Sequence, residues 1–326
     1  MRAVLLIEPG KVVIDEVPDP EPGPDEVRIA IGGVGLCGSD LSVFEGRWKA
    51  PAYPWIMGHE SFGLIEAVGP GVPRERVGET VAVEPNAACF MCAQCARGWT
   101  SACSSRRSVG MNRMGALADL LVVPSRFAWR MPELPAADLV CVEPAAVVFA
   151  ALRRLQIPPP NPALVVGIGA QGMMMTLALV DRGVTVHAED VNPERVAFAA
   201  ELGGAGSATD VDQRFPLVVD TVGSPSSMAV SLDRIAVGGL LLCLGLDNRT
   251  IEFTSQRLVR GQLTLRGSLT YDHPTDFEAT TALIAAGRFA AGRVITDEYP
   301  LEAAQLAFEG NRSARGKTWI RVAGDA

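Results

Sequence analysis

Two textures follow one another along this 326-residue chain. They predict an α/β protein: a β-rich domain followed by a doubly wound parallel sheet. Three observations carry the prediction. The first third is made of short Val/Ile/Leu-rich runs separated by Pro, Gly and Asp turns. From Glu143 onward strands alternate with helices. Between one apolar strand run and the next helix stands the turn Gly167-Ile168-Gly169-Ala170-Gln171-Gly172.

Strand runs are expected at 1–7, 11–17, 25–36, 61–69, 79–85 and 116–124, a count that suggests a closed or nearly closed β-domain. EPAAVVFAALRRLQI has helical spacing and stops at Pro158-Pro159-Pro160. Then come a buried-type strand at 163–169, a helix over 171–182, a strand at 184–189 and a helix at 192–204. A strand at 216–223, a helix over 226–235 and strands at 238–246 and 262–271 follow. The tail reads as helices at 276–289 and 301–310, closed by a strand at 317–323.

The composition narrows the function. Hydrophobic residues make up 48% and charged residues 20%, a globular mix, and the net charge of −8 argues against nucleic acid or an anionic membrane surface as partner. No charged residue lies between Leu155 and Val180, long enough for a bilayer span. Four prolines and three glycines break the stretch, so it reads as loop, strand and helix start. Seven cysteines, an odd number, and no export-type opening lead to the expectation of reduced thiols and a cytoplasmic location.

The glycine turn has the logic of a dinucleotide site. Gly167 permits the tight turn, Gly169 lets backbone approach a pyrophosphate, and Gly172 lets helix and strand pack closely. The helix N-terminus, at Ala170 and Gln171, faces the phosphates. Asp190, 18 residues past Gly172, is placed to accept from a ribose diol and to repel a 2′-phosphate, which favours NAD over NADP. Glu189 is its rival for that contact, and Arg195 is close enough to flank the adenine.

Cys89, Cys92, Cys95 and Cys103 spell C-x2-C-x2-C-x7-C, four thiolates for a closed tetrahedral zinc site. An iron–sulfur cluster is the rival, but the fourth cysteine is too distant for the bacterial run and no proline follows it. Cys37 in CGSD, His59 and Glu60 in MGHES, and Glu143 offer the sulfur, imidazole and carboxylates of a catalytic zinc site. They are scattered over a hundred residues, and spacing alone does not join them.

Taken together, GHE, CGSD, the cysteine lobe, GIGAQG and VEPAAVVFAAL resemble the zinc-dependent medium-chain alcohol dehydrogenase family along nearly the whole chain. The motifs are most similar to sorbitol and polyol dehydrogenases and threonine dehydrogenases, which carry glutamate where Glu143 stands. The run from CGSDLS to GHE also resembles cyclitol and aminocyclitol dehydrogenases. The resemblance implies a GroES-like catalytic domain at 1–144, a Rossmann domain at 145–271 and a segment at 272–326 that returns to the first. It implies Cys37 and His59 as zinc ligands, with Glu60 and Glu143 sharing the remaining position in an order left open. Ser39 would remove the substrate proton. Thr221, Val222, Leu244, Gly245, Leu246, Ser268 and Leu269 would cradle ribose and nicotinamide. Two zinc ions per subunit, NAD, an alcohol or ketone substrate and a homo-oligomer, dimer or tetramer, are implied as well.

Two positions depart from the family pattern. Ser42 stands where many members have a relay histidine, and Thr270 precedes Tyr271 where polyol enzymes carry arginine. Phe44, Trp48 and Trp55 are candidates for either pocket wall or core. Arg113 is a candidate substrate contact, His187 reads as structural, and His273 reads as loop surface or near the site. The expected reaction is hydride transfer between NAD and a secondary alcohol, as a polyol, sugar alcohol or cyclitol. Threonine-type dehydrogenation and a non-catalytic NAD-binding protein are the alternatives.

Overall fold

The structure is a computed structural model that describes residues 1–208 and 210–323. The chain divides into two compact units, one of residues 1–145 with the segment from Asp272 onward, the other Ala146–Tyr271.

In the first unit the long strand Glu26–Gly35 is the spine. It pairs antiparallel with Glu60–Val68, with Leu120–Pro124 and with Lys317–Arg321. Thr80–Val83 and Ala128–Arg130 extend the sheet on one side and Ile295–Pro300 on the other. Alternation sets the inward face: Val27, Ile29 and Ile31 are buried with Ile65, Val81 and Leu121 around one core. A second sheet, Lys11–Glu16, Arg2–Glu8 and Trp55–Ile56, shares that core through Val4, Leu6 and Trp55. The C-terminal strand therefore enters the middle of the N-terminal sheet, and Gly35 lies opposite both Glu60 and Trp319. Gly35 has no side chain for a reason: a Cβ there would overlap the Glu60 carboxylate and the Lys317 stem.

The second unit holds five parallel strands in the order Val186–Glu189, Ala163–Val166, Phe215–Asp220, Ile235–Cys243, Thr264–Gly267. Continuous apolar runs are what a sheet covered on both faces requires. Leu164, Val218 and Leu241 pack with Met228 and Leu232 of the helix Pro225–Arg234. Met173, Met174, Met175 and Leu177 of Ala170–Val180 are buried as well. The uncharged stretch is thus a loop, a strand and an eleven-residue helix, and among the described residues no helix is long and apolar enough to cross a membrane.

Several short elements were not legible in the sequence. The helices Gly38–Phe44 and Ser255–Gly261 are seven residues each, and the strand Ile295–Pro300 carries three polar residues in six positions. None is long enough to show a period.

Candidate functional site

The first polar cluster forms where the spine strand ends. Cys37 caps the helix Gly38–Phe44, and its N–H donates to Asp40 Oδ2 at 3.1 Å. Asp40 is buried, and its other oxygen accepts from Gly58 N at 3.1 Å and lies 3.4 Å from His59 Nδ1. One carboxylate thereby ties the Cys37 turn to the turn that carries His59. Burial works against the Asp40 charge, but His59 and the Cys37 and Gly58 amides outweigh it and hold Asp40 below the usual carboxylate range. Burial would likewise depress His59, yet the Asp40 carboxylate and the Cys37 sulfur hold the imidazole well above its ordinary value.

Glu60 follows, buried in the strand. Its Oε2 pairs with Lys317 Nζ, which also donates to Leu36 O at 3.2 Å. Both side chains are at most 1% exposed. Burial pulls Lys317 down, and the Glu60 charge more than reverses this. The ligand atoms of Cys37, His59 and Glu60 lie within 4.8 Å of one another. His59 Nδ1 faces the Asp40 carboxylate, and Glu60 Oε1 is buried without a hydrogen-bond partner. Sulfur, imidazole and a carboxylate with an orphaned oxygen are a donor set that suits zinc. Glu143 is buried in the first turn of Val142–Arg153 and is not one of the grouped three. Ser39 sits two residues beyond Cys37, half-buried. Ser42 is buried and donates to Gly38 O at 2.8 Å, a helix-internal bond.

The four cysteines of the lobe also converge, with sulfurs within 4.8 Å. Peptide N–H groups aim at them: Cys89 N donates to Cys103 Sγ at 3.3 Å and Met91 N to Cys89 Sγ at 3.5 Å. Amides of Cys95 and Ser104 lower the Cys92 thiol to about 6, whereas desolvation and the neighbouring Cys92 raise Cys95 to about 12. Sulfurs this close cannot all ionise unless a cation joins them.

His273 belongs to the support of this lobe. Its ring Nδ1 is 2.8 Å from Glu84 Oε2, and its amide donates to Thr100 Oγ1 at 2.6 Å. Phe90, Phe127 and Trp129 surround the ring, and Trp129 Nε1 donates to Glu84 at 2.7 Å. Desolvation raises the Glu84 carboxyl. Phe44 stacks on Phe308 and Trp55 Nε1 donates to Gly110 O, so both are core, while Trp48 is over a third exposed. Arg113 is exposed, in an isolated bridge with Val109. His187 packs on Phe215.

In the second unit, Glu189, Val166, Asp220, Cys243 and Gly267 form one row across the five strands. The residues expected to hold the dinucleotide are those just beyond this row: Asp190, Gly167, Thr221, Leu244 and Ser268. Parallel pairing delivers them to one edge of the sheet, where open α/β sheets bind ligands. Gly167 has φ +85, and a Cβ on Gly172 would overlap the Gly167 carbonyl, whereas one on Gly169 would meet nothing within 4 Å. The turn is thus closed on the protein side and open at Gly169, as a phosphate cradle needs. The Asp190 carboxylate accepts from Ile168 N at 2.6 Å and Asn192 N at 2.8 Å, so it lies over the glycine turn. Arg195 follows in the helix Pro193–Glu201, which Asn192 caps. Thr221 Oγ1 donates to Gly167 O at 2.6 Å. Buried Asp220 accepts from the amides of Val222 and Gly223 and from Ser231 Oγ. A Cβ on Gly245 would overlap Val222 and Gly223, so the turns 221–223 and 244–246 are held in contact. Val222, Leu246 and Leu269 keep exposed faces at this edge.

Asp40, Asp220, Glu84 and Lys317 were not singled out by sequence reasoning. One signal was available: a charged residue inside an otherwise apolar run, as Asp220 in LVVDTV, implies a buried partner.

A β-domain of this kind joined to a Rossmann-type parallel sheet defines a two-domain dehydrogenase architecture. Residues 23–133 match the alcohol dehydrogenase GroES-like domain, and residues 170–286 match the zinc-binding dehydrogenase domain. A D-altritol 5-dehydrogenase from Agrobacterium fabrum is 31% identical over 281 residues, 82% of this chain and 84% of its own. An L-galactonate-5-dehydrogenase from Escherichia coli is 28% identical over 95% of this chain and 94% of its own. The structure of an alcohol dehydrogenase from E. coli CFT073 complexed with NADH superposes with a TM-score of 0.91 at 25% identity, over 99% of both chains. The chain belongs to the zinc-dependent medium-chain alcohol dehydrogenase family, and it is an oxidoreductase.

The Glu60–Lys317 pair gives a direct test of the site's construction. Lys317→Ala leaves a buried carboxylate without its counter-charge. It is expected to lower the unfolding free energy by about 3–5 kcal/mol, measured by denaturant titration. A variant as stable as the parent would show that Glu60 does not depend on Lys317.

Proposed function

We propose that the chain is a zinc- and NAD-dependent dehydrogenase that oxidises a secondary hydroxyl of a polyol, sugar alcohol or cyclitol. The observation that carries the reading is the convergence of Cys37, His59 and Glu60, with an orphaned carboxylate oxygen on Glu60, in a family whose reaction needs such a set. Bound zinc supplies a Lewis acid for the substrate oxygen, and bound NAD supplies the hydride acceptor. Cys37, His59 and a carboxylate, Glu60 or Glu143, hold the first. Asp40 orients His59, and Lys317 compensates Glu60. The Ser39 hydroxyl would accept the proton of the substrate hydroxyl and pass its own outward to water. Cys89, Cys92, Cys95 and Cys103 hold a second zinc that fixes the lobe. The five cysteines that serve as ligands must stay reduced, which favours a reducing, cytoplasmic location.

The relatives named for altritol and galactonate support a polyhydroxylated substrate. Asp190 supports NAD, because its carboxylate lies at the glycine turn where a 2′-phosphate would meet a like charge. Cofactor reduction is expected with NAD across a panel of alditols, cyclitols and aldonates, and not with threonine or other amino alcohols. Asp190→Ala is expected to narrow the preference for NAD. Turnover of amino alcohols alone, or equal use of NADP by the parent, would overturn the substrate or cofactor assignment.

Metal analysis is expected to give about two zinc ions per chain, one for each donor set. Glu143 is buried at a helix start, where an acid is ordinarily worth under about 1 kcal/mol. In the proposed site it binds the catalytic metal or the groups around it. Glu143→Gln is then expected to keep fold and NAD binding while lowering turnover at least about tenfold. Unchanged turnover and zinc content would remove Glu143 from the site.

The strand Thr264–Gly267 ends the five-stranded sheet with Leu265 exposed. An open apolar edge supports pairing with a second copy. Sedimentation is expected to give a dimer or tetramer, and a monomer at micromolar concentration would overturn this.

A further inference from the structure

Ser268 lies just beyond the row of strand ends, where the proposed function puts the nicotinamide half of the cofactor. It is buried and held from an unexpected side. Arg154, one residue past the helix Val142–Arg153, donates from Nη1 to Ser268 Oγ at 2.7 Å and to the carbonyls of Leu269 and Thr270, each at 3.0 Å. The hold is reciprocal, because the Arg266 guanidinium in the edge strand donates to the Arg154 carbonyl. Two arginines thus fasten the end of one helix to the end of one strand.

This arrangement does two things. Thr270 has φ +45, a left-handed conformation in which a β-branched residue is strained, and its Oγ1 is buried without a hydrogen-bond partner. The carbonyls of residues 269 and 270 belong to the peptide planes on either side of the Thr270 Cα. A single guanidinium that binds both fixes both planes, and with them the strained turn. The second effect concerns the serine. A guanidinium has donors only, so its bond to Ser268 Oγ uses a lone pair and leaves the hydroxyl proton to be given elsewhere. The positive charge on that oxygen also strengthens it as a donor.

We propose that Arg154 is a positioning residue for the nicotinamide half of the dinucleotide. It holds the Ser268–Thr270 backbone in its strained turn and commits the Ser268 hydroxyl to donate to an oxygen of the nicotinamide riboside. The inference rests on the dinucleotide reading above. The adenosine half is read by other residues, Gly167 to Gly172 and Asp190, which Arg154 does not touch.

The two halves can be separated by ligand. NADH carries both, and ADP lacks the whole nicotinamide riboside. In the purified protein, Arg154→Gln is expected to weaken NADH binding about tenfold and to change ADP binding by less than about twofold. Arg154→Lys is expected to restore NADH binding in part, because the three contacts all come from one nitrogen and an ammonium also carries three donors. Ser268→Ala is expected to weaken NADH alone, and adding it to Arg154→Gln is expected to cost less than the product of the two. Ser268→Ala also carries the test if Arg154→Gln does not fold. Equal loss of both ligands in Arg154→Gln, or no loss of NADH in either variant, overturns the proposal. A parent protein that binds neither ligand overturns the dinucleotide reading itself.

Discussion

A carboxylate that is taken out of water must be compensated, and much of the first unit is arranged around that requirement. Glu60 is at most 1% exposed and meets Lys317, which is equally dry. Unpaired, either charge would cost several kcal/mol. The pair requires that the C-terminal strand enter the sheet beside the N-terminal spine, and that residue 35 have no side chain. A closure of the fold across 257 residues and the placement of a candidate ligand are therefore one event. Asp40 does the same over a shorter distance, joining the cysteine turn to the histidine turn. Glu84 does so for the lobe, through His273 and Trp129.

The second unit answers a different constraint. Parallel strands must leave the sheet at the same edge, so their following residues collect there whatever their spacing in sequence. What remains is to keep five turns close without crowding. Asp220 gathers the amides of one turn, Gly223 and Gly245 let two turns touch, and Arg154 binds a third. Each device removes freedom from backbone that would otherwise be loop, and an ordered cradle loses less on binding a long ligand.

Features written in contiguous residues were legible in the sequence. The glycine turn, the four cysteines, the alternation of strand and helix and the family likeness needed only spacing and order. Asp40, Lys317 and Arg154 were not, because their roles lie in partners 18, 257 and 114 positions away. A carboxylate or guanidinium reads as surface until its partner is known. His273 shows the same limit: its loop context pointed outward, while three aromatic rings and Glu84 enclose it. The short helix at Gly38–Phe44 escaped notice because Gly, Ser and Asp, good at turns, are also good at helix starts.

Charge balance links the polar network to the chemistry proposed for it. A ligating Cys37 is a thiolate, and Asp40 and Glu60 are buried acids beside it. Lys317 is the cation paired within this group. Three anions against one cation leave two negative charges, an excess a buried site does not hold uncompensated. A proton on His59 answers half of it, and the direction in which Asp40 and Cys37 drive the imidazole is that answer. A divalent cation would answer all of it, held by a lone pair of a neutral His59. The pull on a proton at His59 and the pull on a metal ion are therefore the same field. The residues that create it, Asp40 and Cys37, are also those that hold the histidine in place.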